Sequence, residues 1–435
     1  MTDTADVVVI GGGIAGTVAA IECAKLGLDV RMVVDPAEAT AIRTISLGSV
    51  DGIDSGAEHF APGDRIDELR QELGLEAETL RERNTLLDTG SVCAQLPPNL
   101  VAGIPGNPLA AELTPFVASA KFRAYADRVM PFLKIGEAQN LGQLMRQRYG
   151  RAVLERFTNP WCQAVYGLSA DEVDVHRAAP RLNSMLTSFG SLSGAALALS
   201  AEPEPQLRMS AGLRQLQIAL NARAENYAVT FVSARATSLS RAEDHWLVGL
   251  PDGALRARAV IAAIDPNELG WDRLPGVEGT VQQIQLLTAL IQTQRPAQAT
   301  GLLTSIDPML RSASRPAARS AALLSQLPEG HDIIRVVTGT EAVDAEAQII
   351  SAAERLGAQG VRVLEVDSQA HTVLRPWVGL SDPQPGEAFT DETGTLEWTG
   401  QWASGSGLAR VASHAHDSAH RVRKIALDLR LAAHS

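Results

Sequence analysis

Apolar positions along the chain recur in two periods, and the period changes at turns marked by glycine and proline. Val7-Val8-Val9-Ile10 is an unbroken, mostly β-branched run that predicts a strand, and Gly11-Gly12-Gly13 carries the chain into a helix-like segment from Thr17 to Leu26. Gly27 is placed to end that helix, and Asp29 to Val34 predicts a second, parallel strand that completes a βαβ unit. Residues 100–200 carry apolar positions at three-to-four spacing around Phe132 and from Leu141 to Met145, with few turn signals, and read as helical. Ser210-Ala211-Gly212-Leu213 opens a helix to Ala222, and Val229 to Val232 is a strand. His245 to Leu250 and Ala257 to Ala263 alternate as two further strands joined at Asp252-Gly253.

Length and composition narrow what these elements can build. At 435 residues the chain is too long for one core and suits two or three packed units. A net charge of −12 and the absence of a long Lys/Arg run argue against a nucleic-acid partner, which needs a basic patch. Cys23, Cys93 and Cys162 form no C-x-x-C pair, so neither a disulfide framework nor a zinc site is expected. His414, His416 and His420 fall on one terminal helix, and with no Glu or Cys partner near them in sequence they read as a helix face, so no metal is expected. The first strand starts close to Met1 and no apolar run approaches the ~18 residues of a membrane span, which together predict a soluble, cytoplasmic protein without a transmembrane segment.

The strongest chemical signal lies between the first strand and the first helix. Gly11, Gly13 and Gly16 stand at G-x-G-x-x-G spacing, where the first glycine allows a tight turn and the second lets backbone approach a pyrophosphate. The third packs helix on strand, and the N–H groups of Ile14, Ala15 and Gly16 at the helix N-terminus face the anion. In such folds an acid at the end of the second strand holds the adenosine ribose; here that position is Val34, and Asp35 can serve only if the strand has already ended.

An ordered series of motifs then runs through nearly the whole chain. It comprises Ile42-Arg43-Thr44, the D-x-G-A-E-x-F stretch from Asp54 to Phe60, Leu96-Pro97-Pro98 through Gly103-Ile104-Pro105, Tyr149 to Arg156, Asn159-Pro160 through Gly167, Ala179 to Leu182, and Gly190-Ser191-Leu192. On these motifs the chain resembles the flavoprotein oxidases of the protoporphyrinogen and coproporphyrinogen oxidase family, within the amine oxidase and phytoene desaturase group. It departs from them where Ala39, Thr40 and Ala41 replace a Gly-Gly-Arg, and where Gln401 stands in place of the usual Asn or Asp.

The resemblance implies an α/β fold with a Rossmann-type FAD-binding domain (1–60, 205–275 and 375–435), a mixed-sheet substrate domain (61–100 and 276–374) and a helical lobe (101–204). It implies strands over Gln282 to Ile291, Gly301 to Ser305 and Ile333 to Gly339, a helix from Ala342 to Leu356, and Leu364 to Leu374 running on towards Pro376-Trp377, with a loop at Pro383 to Gly386. FAD is the implied cofactor. Its contacts would be Gly11, Gly13, Ile14, Ala15, Gly16 and Asp35, the backbone of Ala236, and Gly400, Gln401, Gly407 and Leu408 at the flavin ring. Arg43 either replaces the cation lost at Ala41 or faces the substrate cavity. The implied activity is dehydrogenation of a nitrogen-containing small molecule by hydride transfer to flavin N5, with O2 as acceptor and no side-chain base. The alternatives are oxidation of coproporphyrinogen III or protoporphyrinogen IX, and a paralogue that has lost the flavin and serves as a scaffold. A homo-oligomer is compatible with the sequence.

Overall fold

The computed structural model describes residues 4–36, 42–81, 85–118, 121–129, 140–179, 181–201, 205–242, 244–269, 281–297, 302–339, 344–375, 391, 393–405 and 407–432. The replaced tripeptide Ala39-Thr40-Ala41, together with Phe132, Gly301, Ala342, Pro376-Trp377 and the loop Pro383 to Gly386, lies outside the described residues.

The first strand, Ala5–Ile10, is buried at every position because both faces of its sheet are covered. It pairs in parallel with Val30–Val34 on one side and Gly253–Ala262 on the other. Thr230–Ser233 and Leu396–Trp398 extend the parallel arrangement, while Trp246–Leu250 and Ser238–Arg241 add an antiparallel edge. One face packs on the first helix, Ile14–Ala24, and on Arg214–Asn226 and Leu408–Ala432, around Val7, Val9, Ile21, Leu216 and Ala415. The other face buries Val8, Ile10, Trp246 and Trp398. Three separated stretches of chain thus meet in one sheet, and the first helix begins directly at the glycine turn, earlier than Thr17.

A second, mixed sheet runs Arg362–Leu374, Val281–Gln292, His331–Thr338, Ser312–Ser314, Leu302–Ser305, Thr85–Asp88 and Cys93–Gln95. All its pairs are antiparallel except Leu302–Ser305 with Thr85–Asp88. The helix Ala345–Arg355 covers its back through Ile349, Ala352 and Ala353. A hairpin, Thr44–Leu47 with Val50–Asp54, shares a small core with Leu290 and Ile333 and links the two sheets.

Residues 100–200 are not helical throughout. Leu100–Val101 and Ile104–Pro105 pair around a turn in which Gly103 has φ +78°. A Cβ there would lie 2.7 Å from the Trp161 ring, so only glycine fits. The helices that follow are short, including Leu141–Arg148, Asn159–Tyr166, Leu182–Phe189 and Leu192–Ala201, and they enclose Met145, Tyr149, Phe157 and Leu186. Among the described residues no single helix is long and apolar enough to cross a membrane.

Candidate cofactor site and substrate cavity

The glycine turn has the shape its spacing predicts. Gly11 sits at φ +108°, and a Cβ on it would lie 2.8 Å from the Ala263 carbonyl oxygen. Gly16 is closer still, its Cβ position 2.0 Å from the Gly11 oxygen, which is how the first helix lies flat on the strand. Around Gly13, by contrast, a Cβ would meet nothing within 4 Å. Gly13 is also the helix N-cap and supplies no side-chain acceptor. The first-turn N–H groups of Ile14, Ala15 and Gly16 have no intrahelical partner and face this open space.

The C-terminal turn arrives at the same place. Gly400 has φ +98°, and its Cβ position is 3.7 Å from the Ala15 Cβ. Gln401 opens a one-turn helix to Ser404, Gly407 has φ +114°, and Leu408 begins the long terminal helix. At the other end of the turn, the strand Val30–Val34 stops before Asp35, which meets the condition for its carboxylate to leave the sheet. Ala236 is buried just past the adjoining strand, and between them the Arg235 guanidinium lies 3.8 Å from the Asp35 carboxylate. Arg43 stands apart from all of these, 3.4 Å from Asp367 on the second sheet.

Between the second sheet and the helix Asn159–Tyr166 lies a cavity of about 290 Å³. Ile284, Val337 and Val373 give it an apolar floor, and Arg311 and Arg375 bring two guanidinium groups to it. Burial, and then the neighbouring Arg375 charge, lower the pKa of Arg311. Among the described residues no carboxylate pairs with the Arg311 side chain.

Comparison with known proteins bears on this arrangement. Residues 6–85 match the FAD binding domain family. Coproporphyrinogen III oxidase from Bacillus subtilis (strain 168) is 27% identical over 238 residues, 48% of this chain and 49% of that protein. The Mycobacterium tuberculosis (strain ATCC 25618 / H37Rv) protein of the same name is 29% identical over 187 residues, 41% of each chain. Over these stretches the chain is similar to coproporphyrinogen III oxidases, and its N-terminal segment matches an FAD binding domain. The chain spans about half the length of the curated relatives it matches. In three dimensions it superposes on an Exiguobacterium sp. 255-15 protein assigned as a candidate protoporphyrinogen oxidase, with TM-score 0.76 and 17% identity over 98% of this chain and 100% of that one. Cyclohexylamine oxidase from Brevibacterium oxydans IH-35A gives TM-score 0.65 and 15% identity over 97% and 99%. These two likenesses are of fold.

The residues present fit FAD. The open cradle at Gly13 accommodates a pyrophosphate against unpaired N–H groups, and the Gly400 turn closes on it from the opposite side. The intact D-x-G-A-E stretch has a structural explanation in this flavoprotein. Asp54 Oδ1 accepts from the Leu213 backbone N–H at 2.6 Å, and Asp54 Oδ2 lies 3.4 Å from Arg208 Nε. Glu58 pairs with Arg335 at 2.8 Å, and Arg335 also donates to the Asp54 carbonyl oxygen. The motif therefore ties the second sheet, through Arg335, to the start of the helix Arg214–Asn226 that packs on the first. Neither arginine was marked by the sequence, since each is a lone cation in a strand and only the fold shows its partners.

The terminal histidines need a correction in one respect. Glu22 of the first helix, distant in sequence, lies 3.7 Å from His416, and His416 and His420 stack at 4.3 Å between ring centroids. Their ligand atoms lie within 4.8 Å of one another. Glu22, however, already carries Lys25 at 2.7 Å, Arg65 at 2.5 Å and Arg423 at 3.6 Å. Three fixed cations around one carboxylate repel a metal ion, and the cluster is a charge network that ties Ile14–Ala24, the helix Asp64–Glu72 that carries Arg65, and the terminal helix together.

Proposed function

We propose that the chain is an FAD-dependent oxidoreductase that dehydrogenates a small, nitrogen-containing, acid-bearing molecule. The observation that carries this reading is the cavity beside the second sheet, with its apolar floor and the Arg311 guanidinium left without a carboxylate among the described residues. Bound FAD supplies the electron-accepting chemistry, taking a hydride at its flavin ring. On this reading Gly11, Gly13, Ile14, Ala15 and Gly16 hold the pyrophosphate, and Asp35 and Ala236 hold the adenosine end. Gly400, Gln401, Gly407 and Leu408 lie along the ring, where the N-terminus of the terminal helix favours negative charge. Arg43 belongs to the substrate side, since its partner Asp367 stands on the sheet that floors the cavity. O2 is the proposed final acceptor.

Oxidation of a porphyrinogen is the second reading, favoured by the names of the curated relatives and by the suitability of Arg311 and Arg375 for propionates. The cavity volume favours the first. About 290 Å³ is at the foot of the roughly 300–1,000 Å³ range of small-molecule pockets and suits one or two rings better than the four linked rings of a tetrapyrrole. The visible spectrum of the purified protein, followed by anaerobic addition of coproporphyrinogen III, separates the readings. A flavin band near ~450 nm that the porphyrinogen leaves unbleached is the expected result. Bleaching would establish the porphyrinogen reading, and a colourless protein that ignores added FAD would leave only a scaffold role.

A further inference from the structure

Asp35 and Arg235 follow the carboxyl ends of two neighbouring parallel strands, Val30–Val34 and Thr230–Ser233. Ser233 is in register with Val34, and the Ala234 N–H donates to the Val34 carbonyl oxygen at 3.1 Å, so the chain delivers Arg235 beside Asp35. Arg235 Nε lies 3.8 Å from Asp35 Oδ2, and Arg235 Nη2 lies 3.9 Å from Glu268 Oε2. Glu268 belongs to the short turn Pro266–Leu269 after the strand Gly253–Ala262, which pairs with the other side of the first strand. The guanidinium thus bridges the carboxyl end of the first strand, where the glycine turn begins. Crevices outside strand ends are where α/β sheets take their ligands. The neighbours of the bridge are apolar: Ala236 and Leu269 are buried in one cluster with Val8, Ile10 and Val33. The glycine turn adjoins it, because a Cβ on Gly12 would lie 2.6 Å from the Val34 side chain.

Stability does not explain this bridge. Both contacts exceed hydrogen-bond length, the Arg235 side chain is 61% exposed, and exposed ion pairs contribute little to folding. A phosphate does not suit it either. One guanidinium between two carboxylates leaves a net negative charge, which repels the pyrophosphate that the helix N-terminus attracts. The flat face of the group is what the bridge presents, because Nε and Nη2, on two of its edges, are turned to Asp35 and Glu268. Guanidinium planes stack on nucleobases. We propose that Arg235 closes over the adenine ring of FAD, with Asp35 and Glu268 holding its guanidinium in place from either side. The proposal rests on the reading of Asp35 and Ala236 as the adenosine end of the cofactor site. Arg43, the cation that the sequence offered for the cofactor, is paired with Asp367 on the second sheet, whereas Arg235 is the guanidinium that the fold brings to Asp35.

The test is calorimetric titration of the full chain, freed of FAD, with FAD, with ADP and with FMN, which carries the flavin ring but no adenosine. Arg235→Ala should raise the Kd for FAD and for ADP by about fivefold and leave the Kd for FMN unchanged. Arg235→Lys keeps the charge but not the planar face, so its Kd for FAD should stay within about twofold of the alanine variant. The FAD-free melting temperature of both variants should remain within ~2 °C of wild type, as expected for an exposed bridge. An unchanged Kd for FAD in Arg235→Ala would overturn the proposal. Full recovery in Arg235→Lys would show a point charge acting on the phosphates and would overturn the stacking role. An equal loss towards FMN, or a lowered melting temperature in the FAD-free variants, would make the bridge a structural tie instead. A wild-type chain that binds neither FAD nor ADP would remove the cofactor reading itself.

Discussion

Asp54 shows how burial can outweigh a neighbouring opposite charge. Its carboxyl is 1% exposed, and burial pushes its pKa up to about 6 although Arg208 and Arg335 both pull it down. The sign of the consequence follows from linkage. A folded-state pKa raised above the unfolded value of 3.8 gives stability that is fully present below about pH 4 and lost as pH rises through about 6. Asp54→Asn keeps an acceptor for the Leu213 amide and removes the titration. Relative to wild type, the variant should therefore gain ~2 kcal/mol between pH 4.5 and pH 7 in urea unfolding. A gap that stays constant across that range would show that Asp54 does not titrate in it. Asp54 was readable in the sequence as part of a motif, but its chemistry was not, because Arg208 and Arg335 lie 154 and 281 residues away along the chain.

At the scale of elements, the glycine turn separates two roles that one motif conceals. Gly16 has a packing role, since its Cβ would lie 2.0 Å from the Gly11 carbonyl oxygen. Gly13 has none, because nothing lies within 4 Å of its Cβ position. Gly13→Ala should thus leave the melting temperature of the FAD-free protein within ~2 °C of wild type, while its methyl group intrudes on the pyrophosphate space and weakens FAD binding by at least tenfold. Gly16→Ala should lower both. Equal loss of stability in the two variants would assign Gly13 to packing as well. The elements that bear this turn were legible because their periods are long and their boundaries carry glycine. The strand at Gly253–Ala262 was legible for the same reason, whereas Val281–Gln292 and Arg362–Leu374 were read through the family resemblance. The hairpin Thr44–Leu47 with Val50–Asp54 was not, since its strands are four and five residues long and its turn is a single Gly-Ser pair. The short helices between 100 and 200 blurred into one helical reading because their apolar periodicity resumes after each left-handed glycine, at Gly150, Gly167 and Gly190.

At the scale of the whole molecule, the cofactor cradle draws on both ends of the chain, so FAD and the fold should stabilise one another. Residues 11–16 and 400–408 meet only because Leu396–Trp398 pairs with Gly253–Ala262 and the terminal helix packs across the first. A ligand that binds only this assembled form adds RT ln(1 + [L]/Kd), ~2.7 kcal/mol at a hundredfold excess over Kd. With an unfolding entropy of ~2.1 cal/mol/K per residue, a chain of this length should melt ~3 °C higher in the presence of that FAD concentration. The FAD-free protein prepared at low pH and high salt, then rescanned with and without FAD by calorimetry, checks this directly. The same scan run on Gly13→Ala should show the shift reduced at equal FAD, because only the affinity term has changed. A wild-type protein that shows no shift at any FAD concentration has a cradle that FAD does not enter. The scaffold reading would then stand in place of the enzyme.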